Sequence, residues 1–183
     1  MERNFNYDIM PEIKERWSPR AFSEKSIPEE VLMALLEAAR YAPSCNNEQP
    51  WRFIIANDED KLARMRGVLN PGNQEWANRA PILILVAAEK TFLKNGSGNC
   101  WNRFDAGTAW GYISLEAQRR GLITHAMGGF SVEKAREVFN IPDRYEIITV
   151  IAVGYYGNKD HLSEYNKGRE HPNSRKEIED LLL

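Results

Sequence analysis

Residues 82–88 read Ile-Leu-Ile-Leu-Val-Ala-Ala, an unbroken apolar run between Pro81 and Glu89. A strand with one wet face would alternate polar and apolar positions, so this run predicts a strand covered on both faces. It is far too short to cross a bilayer, as is the second such run, Ile147 to Val153. A sheet with two covered faces needs a large core. A chain of 183 residues, 43% of them hydrophobic, can supply one, burying roughly 70% of its unfolded surface as a single domain, 1–183.

The flanking segments predict the covering layers. Ser26-Ile27-Pro28-Glu29 has the capping-box pattern and opens a helix to about Arg40, with Val31, Leu32, Leu35, Leu36 and Ala39 on one face. Trp51 to Ala56 predicts a strand, and Asp58 caps a helix bearing Leu62, Met65 and Leu69. Asn73 to Arg79 is a shorter helix, and Lys90 to Arg103 a loop centred on Asn95–Asn99. Phe104 to Arg120 predicts a helix closed by Gly121, with two glycines and several alanines suggesting close packing. Ser131 caps the next helix. The tail from Gly154 is polar, carries little core and ends Leu181-Leu182-Leu183, as if built to wrap a partner. Three strands stand out, mixed with helices in no regular alternation, so the expected class is α+β rather than a doubly wound sheet.

Charge narrows the function. A formal net charge of -2 leaves no basic excess for nucleic acid or an anionic membrane, so the expected partners are small molecules. The N-terminus lacks the apolar stretch of a secretory signal, and a cytoplasmic location follows as an expectation. Cys45 and Cys100 form no C-x-x-C pair and read as reduced thiols. No Rossmann fingerprint or P-loop is present. His125, His161 and His171 have no metal-ligand spacing, and no G-x-S-x-G elbow marks a serine nucleophile.

Three segments carry chemistry-bearing groups. Arg16-Trp17-Ser18-Pro19-Arg20 concentrates guanidinium forks and a hydroxyl, a combination suited to phosphate, although scattered arginines are more often solvated surface. Ala42 to Trp51 places Ser44, Cys45, Asn47 and Gln49 on a loop between a helix and a strand, where binding groups often sit; a polar turn is the plainer reading. Met127-Gly128-Gly129-Phe130 follows a possible strand, and its paired glycines let backbone approach a flat ligand or simply make a tight turn.

In this order and spacing, with Gly121-Leu122-Ile123-Thr124 before the glycine pair and Ala152-Val153-Gly154-Tyr155 after it, the segments resemble the nitroreductase family of FMN flavoproteins over about residues 13–178. The resemblance implies a nitroreductase-like α+β fold: a central, mainly antiparallel sheet flanked by helices, with terminal segments exchanged in a homodimer that builds two FMN sites. It implies that Arg16, Ser18 and Arg20, with Trp17 among them, grip the FMN phosphate and ribityl chain, and that Asn73 contacts the pyrimidine edge. Ser44, Cys45, Asn47 and Gln49 match the loop that reaches the flavin from the other subunit. Met127, Gly128 and Gly129 match the turn whose backbone amide approaches flavin N5. A further phosphate cation lies in the tail, with Arg175 the preferred match and Lys167 or Arg169 the rival alignment. Trp17 and Cys45 depart from the residues usual at those positions.

The same resemblance implies ping-pong hydride transfer from NADH or NADPH through the flavin to a nitroaromatic, quinone or enone. The cofactor then carries the reactivity and no catalytic side chain or metal is expected. Trp101 and Phe104 are candidate walls of the acceptor pocket, and His125 is assigned no role. The alternatives are an FMN-binding module without turnover, or a dehydrogenase or dehalogenase of the same fold.

Overall fold

A computed structural model describes residues 3–183. Four strands, β1 (Trp51–Ala56), β2 (Ile82–Glu89), β3 (Ile123–Met127) and β4 (Tyr145–Gly154), form one sheet in the order β1-β2-β4-β3, with every neighbouring pair antiparallel. The fold is α+β, as the lack of regular alternation predicted.

Every residue of β2 is buried. Its side chains divide by parity: Leu83, Leu85 and Ala87 enter one core with Met65, Trp76, Met127 and Ala135, while Ile82, Ile84, Val86 and Ala88 enter the other with Leu32, Leu35, Ala109 and Ile113. Successive residues of a strand point to opposite faces, so a run that is apolar at both parities requires a core on each side. A register shift between Val86 and Ala87 leaves Ile148 of β4 without an opposite partner.

The first core is roofed by α3 (Glu59–Val68), α4 (Pro71–Ala77) and α6 (Val132–Val138), the second by α2 (Glu29–Arg40) and α5 (Asn102–Arg119). Asp58 and Ser131 cap α3 and α6 by accepting from the amides of Lys61 and Lys134. Gly121 closes α5 in the left-handed region at φ +71°. Short helices α1 (Pro11–Glu15) and α7 (Glu164–Lys167) lie in the terminal segments.

Four expectations are corrected. The N-cap of α2 is Pro28, with no side-chain cap, because Pro28 itself is extended (φ -57°, ψ 143°) and the helix begins at Glu29, which leaves Ser26 outside the first turn. A fourth strand, β3, completes the sheet; at five residues, interrupted by Thr124 and His125, it is too short to stand out by pattern. Within this chain the close packing of α5 comes from its buried alanines, since a Cβ on Gly107 or Gly111 would meet nothing within 4 Å among the described residues. Half of the tail also packs on its own chain: Leu162, Asn166 and Glu170 are buried, whereas Ile178, Leu181 and Leu182 are exposed. No helix among the described residues is long and apolar enough to cross a membrane.

Candidate functional site

The two ends of the chain meet beside the outer strand β3. Residues 21–23 bridge to the segment after β4: Ser23 N–H donates to the Tyr155 carbonyl (2.9 Å) and Gly157 N–H to the Ala21 carbonyl (2.7 Å). From the tail, the buried Glu170 carboxylate accepts from the amides of Arg20 (2.9 and 3.0 Å) and Ala21 (2.8 Å), tying together positions 150 residues apart. Those bonds fix the Arg16–Arg20 segment against the tail.

A cavity of about 160 Å³ opens at this junction, lined by Arg3, Arg16, Trp17, Ser18, Arg20, His125, Arg169, His171, Asn173 and Arg175. Five guanidinium groups on one small polar cavity repel one another. Burial, followed by the neighbouring Arg175 and Arg3 charges, lowers the pKa of Arg16. Burial and then Arg169 lower that of Arg20, partly offset by Glu170 and Tyr165. Arginine stays charged through such shifts, so the strain is a standing demand for an anion. Arg3 uses Nη1 to donate to the carbonyls of Lys14 (3.0 Å) and Arg16 (2.9 Å), while its buried Nε and Nη2 have no partner among the described residues.

His125, on β3, joins this cavity to the rest of the site. Its Nδ1 lies 3.0 Å from the Pro19 carbonyl, its ring is 4.5 Å from that of Trp76, and Arg20 sits 6.0 Å over the same indole. Burial, together with Arg20 and Arg169, outweighs that carbonyl and brings its pKa down to about 4. At neutral pH the ring is therefore uncharged, and because a carbonyl only accepts, Nδ1 carries the proton. Trp76 belongs to α4, and one turn earlier on that helix Asn73 Nδ2 donates to the Gly129 carbonyl (2.9 Å). The backbone there is so close that a Cβ on Gly129 would sit 2.7 Å from Asn73 Nδ2. Strand β3 thus runs from the arginine-lined cavity at His125 to the glycine pair, a distance of roughly 10 Å at about 3.3 Å per residue.

The structure brings together Arg16, Trp17, Ser18, Arg20 and Arg175 around one cavity, and separately Asn73 with Gly129. Both Arg175 and Arg169 of the tail line the cavity, whereas Lys167 pairs with Glu164 at 2.8 Å. Met127 buries its side chain in the first core. The Ser44–Gln49 loop does not line the arginine cavity of its own chain. It is tied instead to α5, where Cys45 N–H donates to the Asp105 carboxylate (3.1 Å), and to itself, where Gln49 N–H donates to Ser44 Oγ (3.0 Å). Asn46, Asn47 and Gln49 adopt left-handed φ of 52°, 57° and 49°. Trp101 and Phe104 are exposed at the start of α5, packed edge to face at 6.2 Å. Cys45 and Cys100 are free thiols.

Sequence reasoning missed Arg3, Trp76, Glu170, His171 and Asn173. Glu170 stands beside the candidate Arg169; Arg3, His171 and Asn173 are gathered by the meeting of the chain ends, and Trp76 reaches His125 from α4.

Comparison with known proteins follows the same outline. Residues 13–70 and 63–155 match the Nitroreductase family. A protein of Archaeoglobus fulgidus provisionally named NADH dehydrogenase/NAD(P)H nitroreductase is 31% identical over 144 residues, 76% of this chain and 80% of that one. An iodotyrosine deiodinase of Thermotoga neapolitana is 27% identical over 172 residues, 81% of this chain and 87% of that one. A solved structure described as an oxidoreductase containing FMN covers 99% of this chain and 93% of that chain with a TM-score of 0.94 at 33% identity.

Proposed function

The chain belongs to the nitroreductase family and is an NAD(P)H-dependent flavin oxidoreductase; from that premise we propose that it reduces electron-poor acceptors such as nitroaromatics, quinones and enones. Donor and acceptor take turns at one site, and the working unit is a homodimer whose terminal segments are exchanged.

The residues present fit FMN. The observation that carries the reading is the convergence of Arg16, Ser18, Arg20, Arg169 and Arg175 on one cavity, joined through His125 and β3 to the close backbone approach at Gly129. An anion with phosphate chemistry relieves the repulsion among those arginines, and guanidinium forks bind it through paired charge-assisted bonds. In this reading Arg16, Ser18 and Arg20 hold the phosphate and ribityl chain, with Arg175 or Arg169 closing over the phosphate from the tail. Asn73 serves the pyrimidine edge, and Met127, Gly128 and Gly129 offer backbone, since the Met127 side chain is occupied in the core. Trp17, 6.2 Å from Tyr156, walls the cavity with its indole. Ser44, Cys45, Asn47 and Gln49 act on the flavin of the partner subunit.

When bound, FMN supplies the hydride chemistry. The protein's own task is to bind, orient and tune. Neutral His125, with its Nδ1 proton committed to Pro19, adds no positive charge to the cavity. Protons for the acceptor come from solvent, so no side chain is assigned as general acid.

The test is the visible spectrum of the freshly purified protein, repeated anaerobically with NADH and then NADPH. A yellow protein that one donor bleaches and an acceptor restores supports the reading. A colourless protein that does not rebind FMN sinks it, and a yellow protein without acceptor-dependent turnover supports the binding-module alternative. The similarity to an iodotyrosine deiodinase favours a second reading, reductive removal of halogen from an aromatic at the same site. Halide release from a halophenol under the same donor would establish it.

A further inference from the structure

The loop at residues 44–49 is tied to a buried carboxyl group on α5. Asn46, Asn47 and Gln49 all hold positive φ within four residues; asparagine adopts that conformation readily, whereas a glutamine does so only where its surroundings impose it. Asp105 is only 2% exposed, in the first turn of α5, and among the described residues its carboxylate accepts from the Cys45 amide at the start of that loop. Burial raises its pKa against the opposing effect of that amide. A carboxyl group buried in the first turn of α5 is disfavoured relative to an apolar residue of similar size unless the bond it makes is needed.

We infer that Asp105 is a positioning residue: through the Cys45 amide it holds the Ser44–Gln49 loop in the conformation that presents Ser44, Cys45 and Asn47 to the cofactor. The inference rests on the reading of that loop as part of the flavin site. Two further ties act with Asp105. Ser44 Oγ accepts from Gln49 N–H (3.0 Å), closing the loop on itself, and the Glu48 carboxylate accepts from Leu93 N–H (3.0 Å), joining it to the loop before α5. The Asp105 bond is the one that connects the loop to a helix of the second core, so the position of α5 is transmitted to the loop backbone rather than left to solvent-exposed contacts.

The test compares Asp105→Asn with Asp105→Leu in the FMN-loaded full-length protein. Asparagine keeps an oxygen that accepts from the Cys45 amide; leucine fills the space and accepts nothing. The leucine variant is expected to bind FMN at least tenfold more weakly, to shift the flavin absorption band and to raise the acceptor KM more than it lowers kcat. The asparagine variant is expected to stay within about threefold of the parent in all three. Asp105→Ser, too short to reach the amide, replaces leucine if that variant does not fold. If leucine or serine lowers only the melting temperature, with FMN affinity, spectrum and KM unchanged, Asp105 is structural and the inference fails. If the parent protein binds no FMN, it is the flavin reading that has failed.

Discussion

Strand β2 and the arginine-lined cavity are opposite solutions within one chain. Along β2 every side chain is apolar or small up to Glu89, every one is buried, and both faces meet a core. At the cavity, five guanidinium groups share about 160 Å³, two nitrogens of Arg3 have no partner among the described residues, and His125 is held neutral. The first region is stabilised by its own contacts. The second is held in place by Glu170 and the sheet and, in the function proposed for it, is completed by the phosphate it binds, which is the usual contrast between a scaffold and a site placed upon it.

The largest effect should come from breaking the scaffold. Leu85→Ala removes a fully buried side chain from the first core and should cost about 2–5 kcal/mol of unfolding free energy, read by urea denaturation. A loss under about 1 kcal/mol would mean that β2 is not the centre of the fold.

The pH dependence of the flavin-free protein sharpens the other side. His125 has a folded pKa of about 4 against an ordinary 6.5, so the unfolded chain takes up a proton that the folded one refuses. Stability is therefore full above about pH 6.5 and declines as pH falls towards 4, by about 3 kcal/mol from this group alone. His125→Asn should flatten that part of the stability profile; an unchanged slope would place the effect elsewhere.

Arg16→Ala should weaken FMN binding by about 2 kcal/mol, roughly thirtyfold, through loss of charge-assisted bonds, while leaving the stability of the flavin-free protein unchanged or slightly higher. Fluorescence titration and thermal melting of the same preparation separate the two, and a stability loss without an affinity loss would make Arg16 part of the scaffold. The smallest effect belongs to Gly129→Ala. Its Cβ would meet the Asn73 amide at 2.7 Å and push that side chain aside, at a cost of about 1 kcal/mol in FMN affinity. Asn73→Ala combined with it should then add little, because both act at the same contact.

Much of the fold could be read locally. Asp58 and Ser131 cap their helices, Gly121 closes α5, and β1 spans Trp51–Ala56 as expected, because caps and apolar runs depend on residues a few positions apart. Strand β3 is stabilised by pairing with β4, which no local pattern records. At the site, the Arg16–Arg20 cluster and the glycine pair were visible as motifs. Glu170, which fixes that cluster, is signalled only by its neighbour Arg169, and nothing in the pattern around Trp76 marks it as lying beneath Arg20 and His125.

The sequence by itself determined the two-faced central strand, the caps of α3 and α6, the Gly121 end of α5, and the residue types able to hold a phosphate, since these follow from periodicity and side-chain chemistry over short spans. Tertiary structure decided which arginines meet. Arg169 and Arg175 reach Arg16 and Arg20 only because Glu170 binds amides 150 residues away and the chain returns along β4 to its own beginning. It also decided that Asp105 lies under the Cys45 loop, because the packing of α2 against α5 sets that distance and neither segment's pattern contains it.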